Sequence, residues 1–311
     1  MKIYRSAEGF KKLTNPVVTS GTFDGVHIGH QKILERVREV ARQTGGETVL
    51  ITFWPHPRLI LNPDDDSLKL LSTFEEKSAL LEKFGIDHLI QIPFTKEFSQ
   101  TTSEEFIRHI LIDTIGTKRL VIGYDHRFGR NREGSFEHLQ ANSDRYGFKV
   151  EEISRQDIDD SAVSSTKTRK ALTSGDVATA TGFLGRPYTL TGEVVHGDKI
   201  GRQLGYPTAN IRPHYSYKLI PAHGIYAVEV DVQGTRYGGM LNIGTRPTFN
   251  GKRETIEVYL FDFDRVIYGE ELTLHFIHRV RDEVAFGSKE ALIEAMKNDE
   301  VESRKVLGLS K

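Results

Sequence analysis

The sequence predicts an α/β domain built on a parallel sheet, followed by a small antiparallel β-barrel with a C-terminal helix. Three observations predict it. From Pro16 to about Gly185, short β-branched runs alternate with longer helical stretches, the pattern of βαβ units. Beyond Pro187 the apolar period changes to two, as in Tyr226, Val228, Val230 and Val232 alternating with Ala227, Glu229 and Asp231. A chain of 311 residues is also too long for one ordinary core.

The elements follow in order. Val17 to Phe23, Thr48 to Phe53, Leu89 to Ile92 and Leu120 to Gly123 are short apolar runs bounded by Gly, Pro or charged residues, and read as buried strands. Ile33, Leu34, Val37, Val40 and Ala41 recur at helical spacing, and Ser103 stands before Glu104 and Glu105 as an N-cap. After the Gly185-Arg186-Pro187 joint come strands at Thr189 to Val195, Tyr226 to Val232, Thr255 to Leu260 and Leu272 to Val280, with a turn at Gln233-Gly234. About six such strands make a closed or nearly closed barrel. Ser288 caps a final helix whose stripe is Leu292, Ile293 and Met296. The expected domains are 1–184 and 185–311.

Composition narrows the chemistry. With 38% hydrophobic and 27% charged residues and no long apolar run, a membrane protein is excluded. The N-terminus carries no secretory pattern, so a cytoplasmic protein is expected. There is no cysteine, which removes thiolate metal sites and thiol nucleophiles. A net charge of −1 gives no global field for a nucleic acid backbone, and a small phosphorylated ligand fits better. Protein partners leave no trace in the sequence.

The segment Gly21-Thr22-Phe23-Asp24-Gly25-Val26-His27-Ile28-Gly29-His30 lies where a buried strand passes into an amphipathic helix. A helix N-terminus offers unpaired N–H groups, and Gly25 and Gly29 let an anion approach the backbone. His27 and His30, three residues apart, can face the same anion; the alternative, a surface or metal-binding pair, is disfavoured because neither H-E-x-x-H nor a thiol accompanies them. Neither a Walker A pattern nor G-x-G-x-x-G occurs. A second anion site is suggested at Ser164-Ser165-Thr166-Lys167-Thr168-Arg169, where cations in a helix's first turn oppose the macrodipole by about 0.3–1 kcal/mol each.

In the second half, Gly192 to Asn210 joins two strands through a glycine-rich loop that ends in Pro207-Thr208-Ala209-Asn210. Thr208 and Asn210 are hard oxygen donors two residues apart, on one face if extended, and suit Mg²⁺ shared with ATP. In Thr255-Ile256-Glu257-Val258-Tyr259-Leu260, alternation puts Glu257 on the face away from Ile256, Val258 and Leu260, where by itself it reads as a solvated strand residue.

The string G-T-F-D-G-V-H-I-G-H resembles the H-x-G-H signature of the nucleotidyltransferase superfamily and, at full length, the bacterial bifunctional riboflavin kinase/FMN adenylyltransferase (FAD synthetase) family. Ser164 to Arg169 resembles that family's S-S-T-x-x-R motif, and Thr52-Phe53-Trp54-Pro55-His56-Pro57 its F-x-P-H-P run. Gly197 to Asn210 resembles the riboflavin kinase signature G-x-x-x-x-G-R-x-L-G-x-P-T-A-N. The loop Gly123 to Gly134 resembles G-x-D/N-F-x-F-G-x-x-R-x-G, from which Tyr124 and His126 depart.

The resemblance implies a Rossmann-like nucleotidyltransferase domain that adenylylates FMN to FAD, and a barrel that phosphorylates riboflavin to FMN, with Mg²⁺ and two ATP. It implies that His27, His30 and Arg169 act on the ATP phosphates, and that Gly21, Phe23, Asp24, Gly29, Ser165 and Thr166 bind ATP in the first domain. Gly197, Gly201, Arg202, Gly205 and Pro207 bind ATP in the second, where Thr208 and Asn210 hold the metal and Glu257 is the general base. Asn62, Asp66 and Asp125 border flavin in the first domain; Arg279 and Arg281 do so in the second, beside the run Asn242 to Phe249. Two rivals remain: an adenylyltransferase for another phosphate with a merely structural barrel, and a flavin-binding module without turnover.

Overall fold

The computed structural model describes residues 1–64, 67–154, 163–197, 200–248 and 251–310. Two compact units divide it, Met1–Ser165 and Thr166–Lys311. The first contains β1 (Lys2–Tyr4), β2 (Pro16–Ser20), α1 (Ile28–Thr44), β3 (Glu47–Trp54), α2 (Phe74–Lys83), β4 (His88–Pro93), β5 (Arg119–Gly123) and β6 (Lys149–Ile153). The six strands form one sheet in the order β1-β4-β3-β2-β5-β6, and every pair is parallel.

Strand alternation builds a three-layer unit. Val17, Leu50, Leu89 and Val121 pack with Ile33, Leu34 and Val37 of α1 and Leu81 of α2. Val18, Val49, Ile51 and Ile90 face the other way, onto Phe106, Ile107, Leu111 and Leu139. α1 starts at the N-cap His27 and stops at Gly45, whose φ of 61° is left-handed. The helix expected to be capped by Ser103 is capped one residue earlier. Thr102 Oγ1 accepts from Glu105 N at 3.2 Å while the Glu105 carboxylate accepts from Thr102 N at 2.8 Å, a reciprocal box that Ser103 has no glutamate to complete.

The second unit opens with α3 (Ser165–Thr173), whose first residue lies in the first unit, and α4 (Val177–Leu184), which packs on the barrel. For this reason the division by compactness falls ahead of the Gly/Pro joint read from the sequence. The barrel strands are β7 (Tyr188–Val195), β8 (Ala209–Pro213), β9 (Gly224–Val232), β10 (Thr235–Thr248), β11 (Gly251–Leu260) and β12 (Glu271–Arg281). They close in the order β10-β11-β8-β7-β12-β9, all pairs antiparallel. Tyr226, Val228, Val230, Leu274 and Phe276 are fully buried. Ser288 caps α5 (Lys289–Val306), accepting from Ala291 N at 3.1 Å.

Candidate active sites

In the parallel sheet, β2, β3 and β5 all end on the same edge, and β2 stands where the strand order reverses. Crevices at such a reversal, outside the strands' carboxyl ends, are where α/β folds bind ligands. The two-histidine turn follows β2, the Thr52–Pro57 run ends β3, and the Gly123–Gly134 loop follows β5, so the topology gathers the three sequence motifs on one edge.

The turn after β2 is strained and tightly held. Phe23 (φ 48°) and Val26 (φ 41°) both adopt positive φ, a costly conformation for a bulky or β-branched side chain. Asp24, 4% exposed, secures it: its carboxylate accepts from Leu71 N at 3.0 Å, Ser72 N at 3.1 Å and Ser72 Oγ at 3.3 Å. Ser72 Oγ in turn accepts from Gly25 N at 3.1 Å. The carboxylate that the resemblance links to ATP is thus occupied by the loop before α2.

His27 caps α1, its Nδ1 accepting from His30 N at 3.4 Å, and the two imidazoles stack with centroids 3.7 Å apart. Phe23 packs against His30 at 4.7 Å. Burial, then His27, then Lys77 push the His30 pKa well below the ordinary range, so the ring is neutral at neutral pH. Its Nδ1 is buried without a hydrogen-bond partner among the described residues. A neutral imidazole at a helix N-terminus donates one hydrogen bond to an anion, beside those of the free backbone N–H groups.

Ser165 belongs to this unit and donates its hydroxyl to Asp24 O at 2.9 Å; Thr166 and Arg169 belong to the second. Asn62 ends the short helix Pro57–Leu61, where its N–H donates to Arg58 O at 3.0 Å. Asp66 lies outside the described residues. Asp125 is exposed in the turn after β5. Beside it, the departures from the family pattern have visible work: Tyr124 packs against the α1 side of the core, and His126 Nε2 meets Ser20 Oγ at 3.2 Å. Burial, then Arg132 and Arg127, lower the His126 pKa to about 4.

The second site lies on the barrel's outer wall under α5, around a cavity of about 620 Å³ lined by Thr208, Met240, Asn242, Glu257, Tyr259 and Met296, among others. Alternation explains it: Ile256, Val258 and Leu260 are buried in the barrel wall, so Glu257 and Tyr259 face the helix. Met240, Tyr259 and Met296 join the cluster that seats α5. The solvated glutamate of the sequence reading is therefore 8% exposed. Glu257 is directly paired with Asn242 of β10 on one side and Asn210 of β8 on the other, and directly opposed residues share a face. Thr208 Oγ1 donates to Glu257 Oε2 at 3.1 Å.

The glycine-rich loop packs around these groups. A Cβ on Gly197 would run into the Asn210 carboxamide, and one on Gly201 into Tyr206 O. Gly205 turns the chain at φ +85°, which places Tyr206 in the α5 cluster and leaves Arg202 and Pro207 exposed. Of the two expected flavin arginines, Arg281 lines the cavity but is held by a bidentate pair with Asp299 of α5, both bonds 2.7 Å. Arg279 is not among the lining residues; it donates to His223 O at 2.7 Å and pairs with Asp282 at 3.0 Å. Sequence reasoning missed Tyr259 and Phe286 as lining residues and gave no strand range for β1, β6, β8 or β10. In β8 only five residues pair, and no alternation of period two announces them.

Residues 10–167 match the FAD synthetase family, and residues 184–307 match the riboflavin kinase family. The bifunctional riboflavin kinase/FMN adenylyltransferase of Listeria monocytogenes is 38% identical, over 93% of this chain and 92% of its own length. Its namesake in Escherichia coli is 36% identical over 95% of this chain and 94% of its own. A Streptococcus pneumoniae crystal structure, described as a macrolide-efflux protein, superposes with a TM-score of 0.88 at 31% identity, covering 97% of this chain and 98% of that one. These matches run through both units, and the chain belongs to the family of bifunctional riboflavin kinase/FMN adenylyltransferases.

Proposed function

We propose that the chain makes FAD from riboflavin in two ATP-dependent steps, each at its own site: residues 1–184 carry the adenylyltransferase and residues 185–311 the kinase. The observation that carries the reading is the buried Glu257 on the wall of the cavity, flanked in register by Asn242 and Asn210. In the barrel, Glu257 takes the proton from the riboflavin 5′-hydroxyl, the oxygen bonds to the γ-phosphorus of ATP, and the bond to the bridging oxygen breaks to release ADP. The apolar wall and α5 hold the flavin.

In the α/β unit, an FMN phosphate oxygen attacks the α-phosphorus of ATP and pyrophosphate leaves. His27, His30 and the α1 N-terminus receive the phosphates, and stabilise charge as it shifts onto the leaving group. The roles of Thr166 and Arg169 at the phosphates, and of Asn62, Asp66 and Asp125 at the flavin, rest on their motifs.

The donor set around Glu257 fits Mg²⁺: Thr208 hydroxyl, Asn210 carboxamide and Glu257 carboxylate are hard oxygens brought together, and Thr208 turns its proton to Glu257, which leaves its lone pairs for a cation. Thr208 and Asn210 would hold the ion, which when bound neutralises charge on the ATP phosphates. The reading places the enzyme in the cytoplasm, where ATP is supplied. Among the described residues no helix is long and apolar enough to cross a membrane.

The reading is tested by supplying purified protein with ATP, Mg²⁺ and either riboflavin or FMN, and separating the flavins. Phosphopantetheine and a nicotinamide mononucleotide serve as rival acceptors. FAD from FMN, with no adenylylation of the rivals, supports it. Adenylylation of a rival without FAD contradicts it, as does the absence of turnover.

A further inference from the structure

Lys77 is a buried cation for which neither reaction has yet found a use. It lies on α2, 5% exposed, and its ammonium donates to Thr22 O at 3.1 Å and Thr52 Oγ1 at 2.9 Å. Among the described residues no carboxylate forms an ion pair with it, since the nearby Asp24 is occupied by the Leu71 and Ser72 amides. A buried ammonium held only by neutral oxygens is costly compared with an apolar side chain of the same length. The loop does not need that charge to stay satisfied, because Thr52 Oγ1 itself reaches Thr22 O at 3.4 Å.

The two oxygens belong to two different motifs: Thr22 to the histidine turn after β2, Thr52 to the run that ends β3. From this geometry we infer that Lys77 is a positioning residue for FMN adenylylation: it locks the histidine turn to the end of β3 and sets a fixed positive charge behind the phosphate site. The inference rests on reading the α/β unit as the adenylyltransferase. In the free site only the nearby Asp24 carboxylate offsets part of the cost of burying Lys77, and ATP and FMN bring the further negative charge that offsets the rest.

The charged groups around Lys77 come from several elements. Asp24, in the turn after β2, favours its charged form; His27 and His30 present their rings from α1; Arg5 lies over the Phe74 ring at 4.2 Å; Glu75 and Glu76 share α2, Glu76 being engaged in the Thr73 cap. Burial brings the Lys77 pKa down to about 8, and the Lys77 charge helps to keep His30 neutral. The charge is therefore present at neutral pH and fades as pH rises through about 8.

The test compares wild-type chain and Lys77→Met in FAD formation from FMN, riboflavin phosphorylation and thermal unfolding, across pH 6.5 to 9.5. Methionine keeps the length of the side chain and removes the charge. We expect kcat/KM for FAD formation to fall roughly tenfold or more at neutral pH, with riboflavin phosphorylation within about twofold of wild type. The thermal midpoint of the α/β unit should be unchanged or higher, and the wild-type decline in FAD formation above pH 8 should be absent from the variant. FAD formation within about twofold of wild type throughout overturns the inference. So does an alkaline decline that persists in Lys77→Met, or a midpoint that falls along with activity, which marks a structural role. Failure of the wild-type chain to make FAD overturns the adenylyltransferase reading and takes the inference with it.

Discussion

Replacing Glu257 with Ala removes the carboxylate proposed to take the hydroxyl proton, and FMN formation is expected to fall about 10²–10⁴-fold. FAD formation from supplied FMN should not change, and flavin chromatography of the same preparation reads both. His30→Ala is expected to reverse the pattern, lowering FAD formation about 10²–10³-fold through the loss of one preorganised donor. Equal loss of both activities in either folded variant contradicts separate sites. Asp24 is expected to act through the fold. Its carboxylate accepts from two buried amides and a hydroxyl, so Asp24→Ala should lower the stability of the α/β unit by about 1–3 kcal/mol, seen as a drop in its thermal midpoint. At this scale the sequence marked Glu257 and the histidines by their motifs, yet its alternation placed Glu257 in solvent, because a period of two says which face a residue is on and not that a helix covers that face. Lys77 went unseen because the helix that carries it, Phe74–Lys83, was not itself read from the sequence, and only the fold buries it beside Thr22 and Thr52.

Elements carry these side chains to their places. The glycine loop before β8 depends on close approach, and Gly197→Ala would drive a methyl group into the Asn210 carboxamide. The variant is expected to lose riboflavin phosphorylation while retaining FAD formation from FMN; if both reactions keep wild-type rates, the loop does not set Asn210. β2, β3, β4 and β5 were legible as short apolar runs bounded by Gly, Pro or charged residues, and α1 by its helical period, whereas β1 and β6 at the sheet's two edges carry no such run. β8 was not legible either: five residues ending in Pro213 give no period, and its identity comes from pairing with β7 and β11. The start of the helix at Thr102 escaped for a smaller reason, since both Thr102 and Ser103 are good caps and only Thr102 has Glu105 three residues on.

Across the whole molecule, the change of period near Pro187 was enough to separate a parallel sheet from a barrel, while the compact units divide earlier because α4, ahead of that joint, packs on barrel strands β7 and β12. The two units should also differ in acid. His126 falls from its ordinary 6.5 to about 4 in the folded state, so the unfolded chain takes up the proton first. Its contribution is complete above pH 6.5 and is lost as pH falls toward 4, about 2 kcal/mol of it by pH 5. Buried His30 acts in the same direction. The α/β unit's melting transition should therefore move down between pH 7 and pH 5, and His126→Phe should reduce that movement; an unchanged movement removes His126 from the account. The central claim, two phosphoryl chemistries at two sites on one chain, is tested most directly by a chromatographic time course of wild-type and Glu257→Ala protein with riboflavin, ATP and Mg²⁺, repeated with FMN in place of riboflavin. The account predicts that wild type forms FMN and then FAD, and that Glu257→Ala leaves riboflavin untouched yet converts FMN to FAD. A wild-type chain that leaves either riboflavin or FMN unconverted would contradict it.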